Sequence, residues 1–107
     1  MKKFQVIISD SASKDLKEII QYIANDSTIN ARKILNKFRI KINELKELPE
    51  RGRICPELKD NGINIYREIL INPWRILYRV TGNTVFIITI IDSRRDLNKL
   101  LTKKISE

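Results

Sequence analysis

The sequence predicts an α+β fold: a small, mainly antiparallel four-stranded sheet packed against an N-terminal helical hairpin, in the order β-α-α-β-β-β, with a short C-terminal helix. Three observations carry this. Residues 12–24 and 31–48 each repeat apolar side chains at helical spacing. Only the polar run Asn25-Asp26-Ser27-Thr28 separates them, which implies two antiparallel helices. Three strand-length apolar runs then follow between residues 63 and 91, punctuated by Asn72-Pro73 and Thr81-Gly82-Asn83.

Each element has its own warrant. Residues 3–9 alternate weakly around Phe4, Val6 and Ile8 and read as a short strand. Ser9-Asp10-Ser11 supplies helix-capping oxygens, followed by the stripe Ala12, Leu16, Ile19, Ile20, Ile23 and Ala24. The second helix carries Ala31, Ile34, Leu35, Phe38, Ile42, Leu45 and Leu48, and Pro49 ends it. Residues 50–58 read as an irregular surface connector, and Asn61-Gly62 as a turn. The next strand covers residues 63–71. In the strand over 74–80, period two puts Trp74, Ile76, Tyr78 and Val80 on one face and Arg75, Leu77 and Arg79 on the other. Residues 84–91 are apolar on both faces except at Thr84 and Thr89, so this strand is expected to be central and covered on both sides. The helical hairpin would cover one face. Leu97, Leu100, Leu101 and Ile105 would cover the other, from a terminal helix over 94–104 capped by Ser93.

The 107 residues suit one domain, 1–107, with 42% hydrophobic residues to build its core. Lys and Arg number 21 against 13 Asp and Glu, a net charge of +8, which points to an anionic partner. No apolar run approaches the roughly 20 residues needed to span a bilayer. Neither a membrane role nor a secretory leader is expected, and a cytoplasmic protein is. Histidine is absent and Cys55 is the sole cysteine. That removes histidine-based acid–base catalysis, an intrachain disulfide and cysteine or histidine metal clusters. No glycine-rich phosphate loop occurs, and no metal or cofactor is expected.

The functional candidates are arginines. Arg67, Arg75, Arg79 and Arg94 are expected to converge, with Arg67, Arg75 and Arg79 on one sheet face if the register permits and Arg95 beside Arg94. Two readings fit: a surface that forks phosphate or carboxylate, or structural bridges to Glu68, Asp92 and Asp96. Tyr66, Trp74 and Tyr78 interleave with these arginines, but Trp74 and Tyr78 fall opposite Arg75 and are expected in the core. The basic side of the second helix (Arg32, Lys33, Lys37, Arg39, Lys41, Lys46) is either a solvated face or a binding face.

Leu48-Pro49-Glu50-Arg51-Gly52-Arg53, Arg75-Ile76-Leu77-Tyr78-Arg79-Val80 and Arg94-Arg95-Asp96, in that order behind a helical hairpin, resemble the RelE/ParE superfamily of type II toxin–antitoxin toxins over essentially the whole chain. The connector and the Arg-Arg-Asp exit resemble the ParE-like branch more closely. The resemblance implies a growth-arresting toxin neutralised by a cognate antitoxin, often through a flexible acidic segment that suits the positive charge here. It also implies one of two targets. RelE-like members cleave ribosome-bound mRNA with two strand lysines, two arginines and a C-terminal tyrosine. Arg75 and Arg94 match the arginines, whereas Tyr66 and Glu68 stand at the lysine positions and Leu100 near the tyrosine. If this were a nuclease, Arg75, Arg94 and Glu68 would be its catalytic residues. With the proton-transfer half missing, a ParE-like inhibitor of DNA gyrase is expected, binding through Arg67, Arg75, Arg79, Arg94 and Arg95. An mRNA interferase acting on the ribosome is the alternative, and a non-toxic antitoxin-binding module is the third reading.

Overall fold

Ser9 makes the first corner of the fold. Its hydroxyl accepts from the Ala12 amide at 3.0 Å and donates to the Ile88 carbonyl at 2.8 Å. It thus caps a helix and ties that helix to a strand late in the chain. The computed structural model describes residues 3–106, apart from the side chains of 102 and 104–106. In chain order the elements are β1 (Gln5–Ile8), α1 (Asp10–Asp26), α2 (Thr28–Glu44), β2 (Arg53–Ile54), α3 (Pro56–Lys59), β3 (Tyr66–Ile71), β4 (Trp74–Thr81), β5 (Thr84–Asp92) and α4 (Leu97–Ser106). The sheet has five strands in the order β1-β5-β4-β3-β2. Only β1 runs parallel to its neighbour; the other pairings are antiparallel.

The expected order is present, with two short additions inside the connector. β2 is the fifth strand and α3 a single helical turn. Two residues are too few to show alternation in a sequence. β2 exists because Arg53 and Ile54 pair with Glu68 and Arg67, and the Cys55 amide continues the ladder to the Tyr66 carbonyl at 2.9 Å.

The helices meet through Ser27 alone rather than through a longer link. Its amide closes α1 on the Ile23 carbonyl, and its hydroxyl opens α2 by accepting from the Asn30 amide at 3.1 Å. α2 stops at Glu44, short of the expected residue 48. The amides of Leu45, Lys46 and Glu47 tighten to bonds three residues back, and the Lys46 carbonyl turns to accept from Phe4 at 2.7 Å. Leu48 is consequently 53% exposed and not part of the core stripe.

Both sheet faces are covered. On one, Phe38, Ile42 and Leu45 of the hairpin segment pack on Ile76, Tyr78, Val85, Ile87 and Ile90. On the other, Leu58, Leu97 and Leu101 pack on Tyr66, Leu77 and Ile91. The Ile105 side chain, expected in this layer, lies outside the described residues. β5 sits between β1 and β4 as its two-sided apolarity demands, while the middle strand of the five is β4. A bulge at Ile88 keeps this strand in step, since Leu77 faces Thr89 but Tyr78 faces Ile87. Asp15 of α1 satisfies the bulge, accepting from the Thr89 hydroxyl at 2.6 Å and the Ile90 amide at 3.0 Å.

Two turn residues have roles other than those expected. Ser93 does not cap α4. Its hydroxyl and amide both reach the Pro73 carbonyl, at 2.7 and 2.8 Å, and pin the β3–β4 turn to the end of β5. α4 instead begins after Asp96, whose carboxylate accepts from the Lys99 amide at 3.4 Å. Gly82 holds φ at +59° as the first residue of the two-residue β4–β5 loop, a position glycine takes without strain.

The connector is fastened from beneath by Tyr78, which is fully buried. The Tyr78 hydroxyl accepts from the Gly52 amide at 2.8 Å and donates to the Pro49 carbonyl at 2.9 Å. Burial pushes the phenol pKa up, against the opposing pull of the Gly52 amide. A Cβ at position 52 would lie 2.6 Å from the Glu68 carbonyl oxygen and 2.7 Å from the Tyr78 hydroxyl. Gly52 is therefore required by close approach of two backbones. Gly52→Ala is expected to cost about 1–3 kcal/mol by overpacking. Tyr78→Phe is expected to cost a similar ~1–3 kcal/mol by orphaning a buried amide and a carbonyl. Urea midpoints of the two variants against the parent chain measure both.

Candidate functional site

Glu68 points into the α3–α4 side of the sheet and is 2% exposed. A carboxylate at that depth must be matched by cations. Its Oε1 accepts from Arg75 Nη1 at 3.1 Å and its Oε2 from Arg53 Nε at 2.7 Å. The same Arg75 Nη1 bonds both oxygens of Glu57, at 2.8 and 3.0 Å. Strand register brings this about, since Arg53 pairs with Glu68 across β2–β3 and α3, starting at Pro56, then presents Glu57 two residues after Cys55. Burial alone would lower the Arg75 pKa, but the bonds and charges of Glu57 and Glu68 outweigh it and the net shift is upward. For Glu57, burial raises the pKa, the Arg75 bonds lower it, and the net shift is downward.

Cys55 completes the cluster. Burial pushes its thiol up to about 11, so it stays protonated near neutral pH. The Cys55, Glu57 and Glu68 ligand atoms lie within 4.8 Å of one another. Guanidinium groups already occupy both carboxylates, so the trio is a packed ion-pair cluster and not an open cation site.

The five arginines do not gather on one surface. Arg67 pairs with Tyr78 and Arg75 with Leu70, so they lie on opposite faces of the sheet. Arg67 donates to the Gly52 carbonyl at 2.7 Å and more distantly to Glu50, holding the connector. Arg75 is locked inside the cluster above. Arg79 shares Arg75's face but sits at the other end of β4. Arg94, at the exit of β5, forks the Asp92 carboxylate through Nε and Nη2. Its hydrogen bonds hold Asp92 down at about 2. Arg95 is exposed beside it. The bridges to Glu68 and Asp92 were readable in the residue types. The larger partner of Arg75, Glu57, was missed because it lies on a helix of one turn inside an irregular connector. Trp74 packs its ring 5.8 Å from Phe38 and Tyr78 is in the same layer, as expected of core aromatics.

Arg94 and Arg95 rim a cavity of about 440 Å³ at this end of the molecule, where Asp15, Glu18 and Tyr22 of α1 face Trp74 and Asp92. Tyr22 is 76% exposed. This is the accessible part of the arginine set. On the neighbouring face, α3 and α4 roof Leu77, Ile91 and the Glu68–Arg75 pair.

A helical hairpin backing a five-stranded mixed sheet, with an arginine-rich exit from the last strand, is the architecture of the RelE/ParE toxins. The profile of the family described as ParE toxin of type II toxin–antitoxin system, parDE, matches residues 6–97, and the chain belongs to that family. Toxin ParE3 of Caulobacter vibrioides is 29% identical over 101 residues, spanning 94% of this chain and 97% of the relative. Among solved structures, the chromosomal ParDE system of P. aeruginosa superposes with a TM-score of 0.67 at 19% identity, over 86% of this chain and 98% of its own. A mutant of the E. coli toxin RelE in the free state gives 0.62 at 15% identity, over 97% and 96% of the two chains. The toxin–antitoxin complex RelBE2 of Mycobacterium tuberculosis gives 0.54 at 18% identity, over 86% and 93%. This protein is thus a ParE-type toxin of a type II toxin–antitoxin system.

Two outcomes follow from the ion pairs. Arg75→Ala leaves Glu68 buried with Arg53 alone and is expected to destabilise the fold by about 3–5 kcal/mol, read from denaturant unfolding. Because the folded-state pKa of Glu57 is depressed, its stabilisation is complete above the unfolded value of 4.5 and is lost as pH falls through the folded value. The Arg75→Ala chain should therefore show a shallower loss of stability below pH 4.5 than the parent chain. Separately, an NMR titration should place Asp92 at about 2, returning toward 3.8 in Arg94→Ala.

Proposed function

We propose that this toxin arrests growth by inhibiting DNA gyrase, as a non-nucleolytic member of its superfamily, and that a cognate antitoxin neutralises it in the cytoplasm. Residues 1–107 are read as one toxin domain. One observation carries the choice of target. Two of the groups that stand where RNA-cleaving relatives are expected to place catalytic residues are turned inward: Glu68 is 2% exposed and saturated by two guanidinium groups, and Arg75 is committed to two carboxylates, which leaves Arg94 as the exposed member of the set. A general base must reach the proton it removes, and a phosphate clamp must have free donors. Glu68 and Arg75 do not meet these conditions. Leu100, near the position of the expected tyrosine, packs against the apolar layer.

An inhibitor that works by binding needs only a complementary surface. Arg94 and Arg95, exposed around the Tyr22–Trp74 cavity, supply the accessible cations at the β5 exit. The net charge of +8 favours encounter with an acidic partner or a protein–DNA target. The antitoxin partner is supported by the solved ParDE and RelBE2 systems of similar fold, which are described as toxin–antitoxin assemblies.

The test is a gyrase supercoiling assay with the purified chain, run beside primer extension on transcripts from arrested cells. The expected result is loss of supercoiling with transcripts intact. The Arg94→Ala/Arg95→Ala pair should weaken inhibition by about tenfold or more. Unimpaired gyrase at micromolar toxin, or transcripts cut within the reading frame, rejects this target.

A further inference from the structure

One row of side chains crosses the sheet from the covered α3–α4 layer to an open cavity. Register places Tyr66 of β3 opposite Arg79 of β4, Arg79 opposite Phe86 of β5, and Phe86 opposite Ile7 of β1. All four lie on the α3–α4 face: Tyr66 belongs to the buried layer beneath α3 and α4, and the row runs out from that layer through Arg79 and Phe86 to Ile7. Ile7 is 40% exposed, and Arg79 and Phe86 are half-buried. Together with Ile88 they line a cavity of about 270 Å³ with no acidic lining residue.

Arg79 differs from the arginines already described. Arg53, Arg67, Arg75 and Arg94 each have a carboxylate or carbonyl partner; the Arg79 guanidinium makes no hydrogen bond or ion pair among the described residues. The Tyr66 hydroxyl also makes no hydrogen bond among the described residues, and it is not a buried unpartnered atom, so solvent reaches it. A half-buried guanidinium on an apolar floor, with a free phenol on the opposed strand, is short of one planar acceptor. A carboxylate fits the guanidinium fork bidentately, and the low-polarity floor strengthens the pair.

We propose that this row is the seat of an acidic side chain from an extended protein segment, with Arg79 forking the carboxylate and Phe86, Ile88 and Ile7 taking its apolar neighbours. The occupant is the antitoxin, so the proposal rests on the neutralisation reading above. Nucleic acid suits the row less well. Tyr66 is only 9% exposed and offers no ring face for stacking, and no second basic residue lines the cavity to follow a phosphate backbone.

The test co-expresses the chain with its cognate antitoxin, isolates the complex, and measures affinity for the parent chain, Arg79→Met and Arg79→Lys. Methionine keeps the aliphatic stem and removes the charge, and thermal midpoints within a degree or so of the parent chain establish that the fold is kept. Affinity is expected to fall about tenfold to a hundredfold in Arg79→Met, with a weaker salt dependence, and to recover partly in Arg79→Lys. A photo-crosslinker at Ile7 should capture an acidic segment of the partner. Affinity unchanged in Arg79→Met overturns the proposal while leaving neutralisation intact. Failure of the parent chain itself to bind overturns both. Loss of binding to a single-stranded oligonucleotide in Arg79→Met, with antitoxin affinity unchanged, overturns it in favour of nucleic acid.

Discussion

A carboxylate buried in the face of a sheet is the constraint from which the lower half of this molecule follows. Glu68 lies between two guanidinium groups, and each partner brings an element with it. Arg53 anchors β2 to the sheet edge. Arg75 spans to Glu57 and so fixes α3, against which α4 packs. Without the charge at Glu68, a two-residue strand and a one-turn helix would have little to hold them, because neither buries enough apolar surface alone. The arrangement is costly to break and gives no guarantee of net stability, since desolvating three charged groups offsets much of their attraction. Its value here is positional.

That positional role sets which way the charged side chains face. Arg75 turns inward to Glu57 and Glu68, and α3 and α4 close over that part of the sheet. The Tyr78 hydroxyl does the same work for the connector on the other face, holding Pro49 and Gly52 with one oxygen.

Much of this was legible in the residue order. Helical spacing, the Ser9 and Ser27 caps, the strand alternation and the two-sided apolarity of β5 all depend on local periodicity, which a sequence displays directly. The face opposition of Trp74 and Tyr78 to Arg75 came from period two and held. What was hidden depends on register and on long-range partners. Arg67 and Arg75 differ by eight positions across a turn, and only the pairing Ile71–Trp74 decides that they face opposite sides. β2 and α3 are too short for any period to show. Leu48 continued a convincing stripe, yet the Lys46 carbonyl was needed by Phe4, and the helix ended first. Ser93 had capping chemistry, but the Pro73 carbonyl competed for it and won.

The parallel pairing of β1 with β5 has a consequence for the life of the molecule. Ser9 and Ile88 are bonded across 79 positions of chain. β1 is synthesised first and has no neighbour in the sheet until β5 follows it, so closure waits on contacts of long sequence separation. An unfinished chain leaving the ribosome carries an idle strand and an uncovered hairpin, and a prematurely terminated one never closes. The topology thus delays closure of the sheet until β5 has been made.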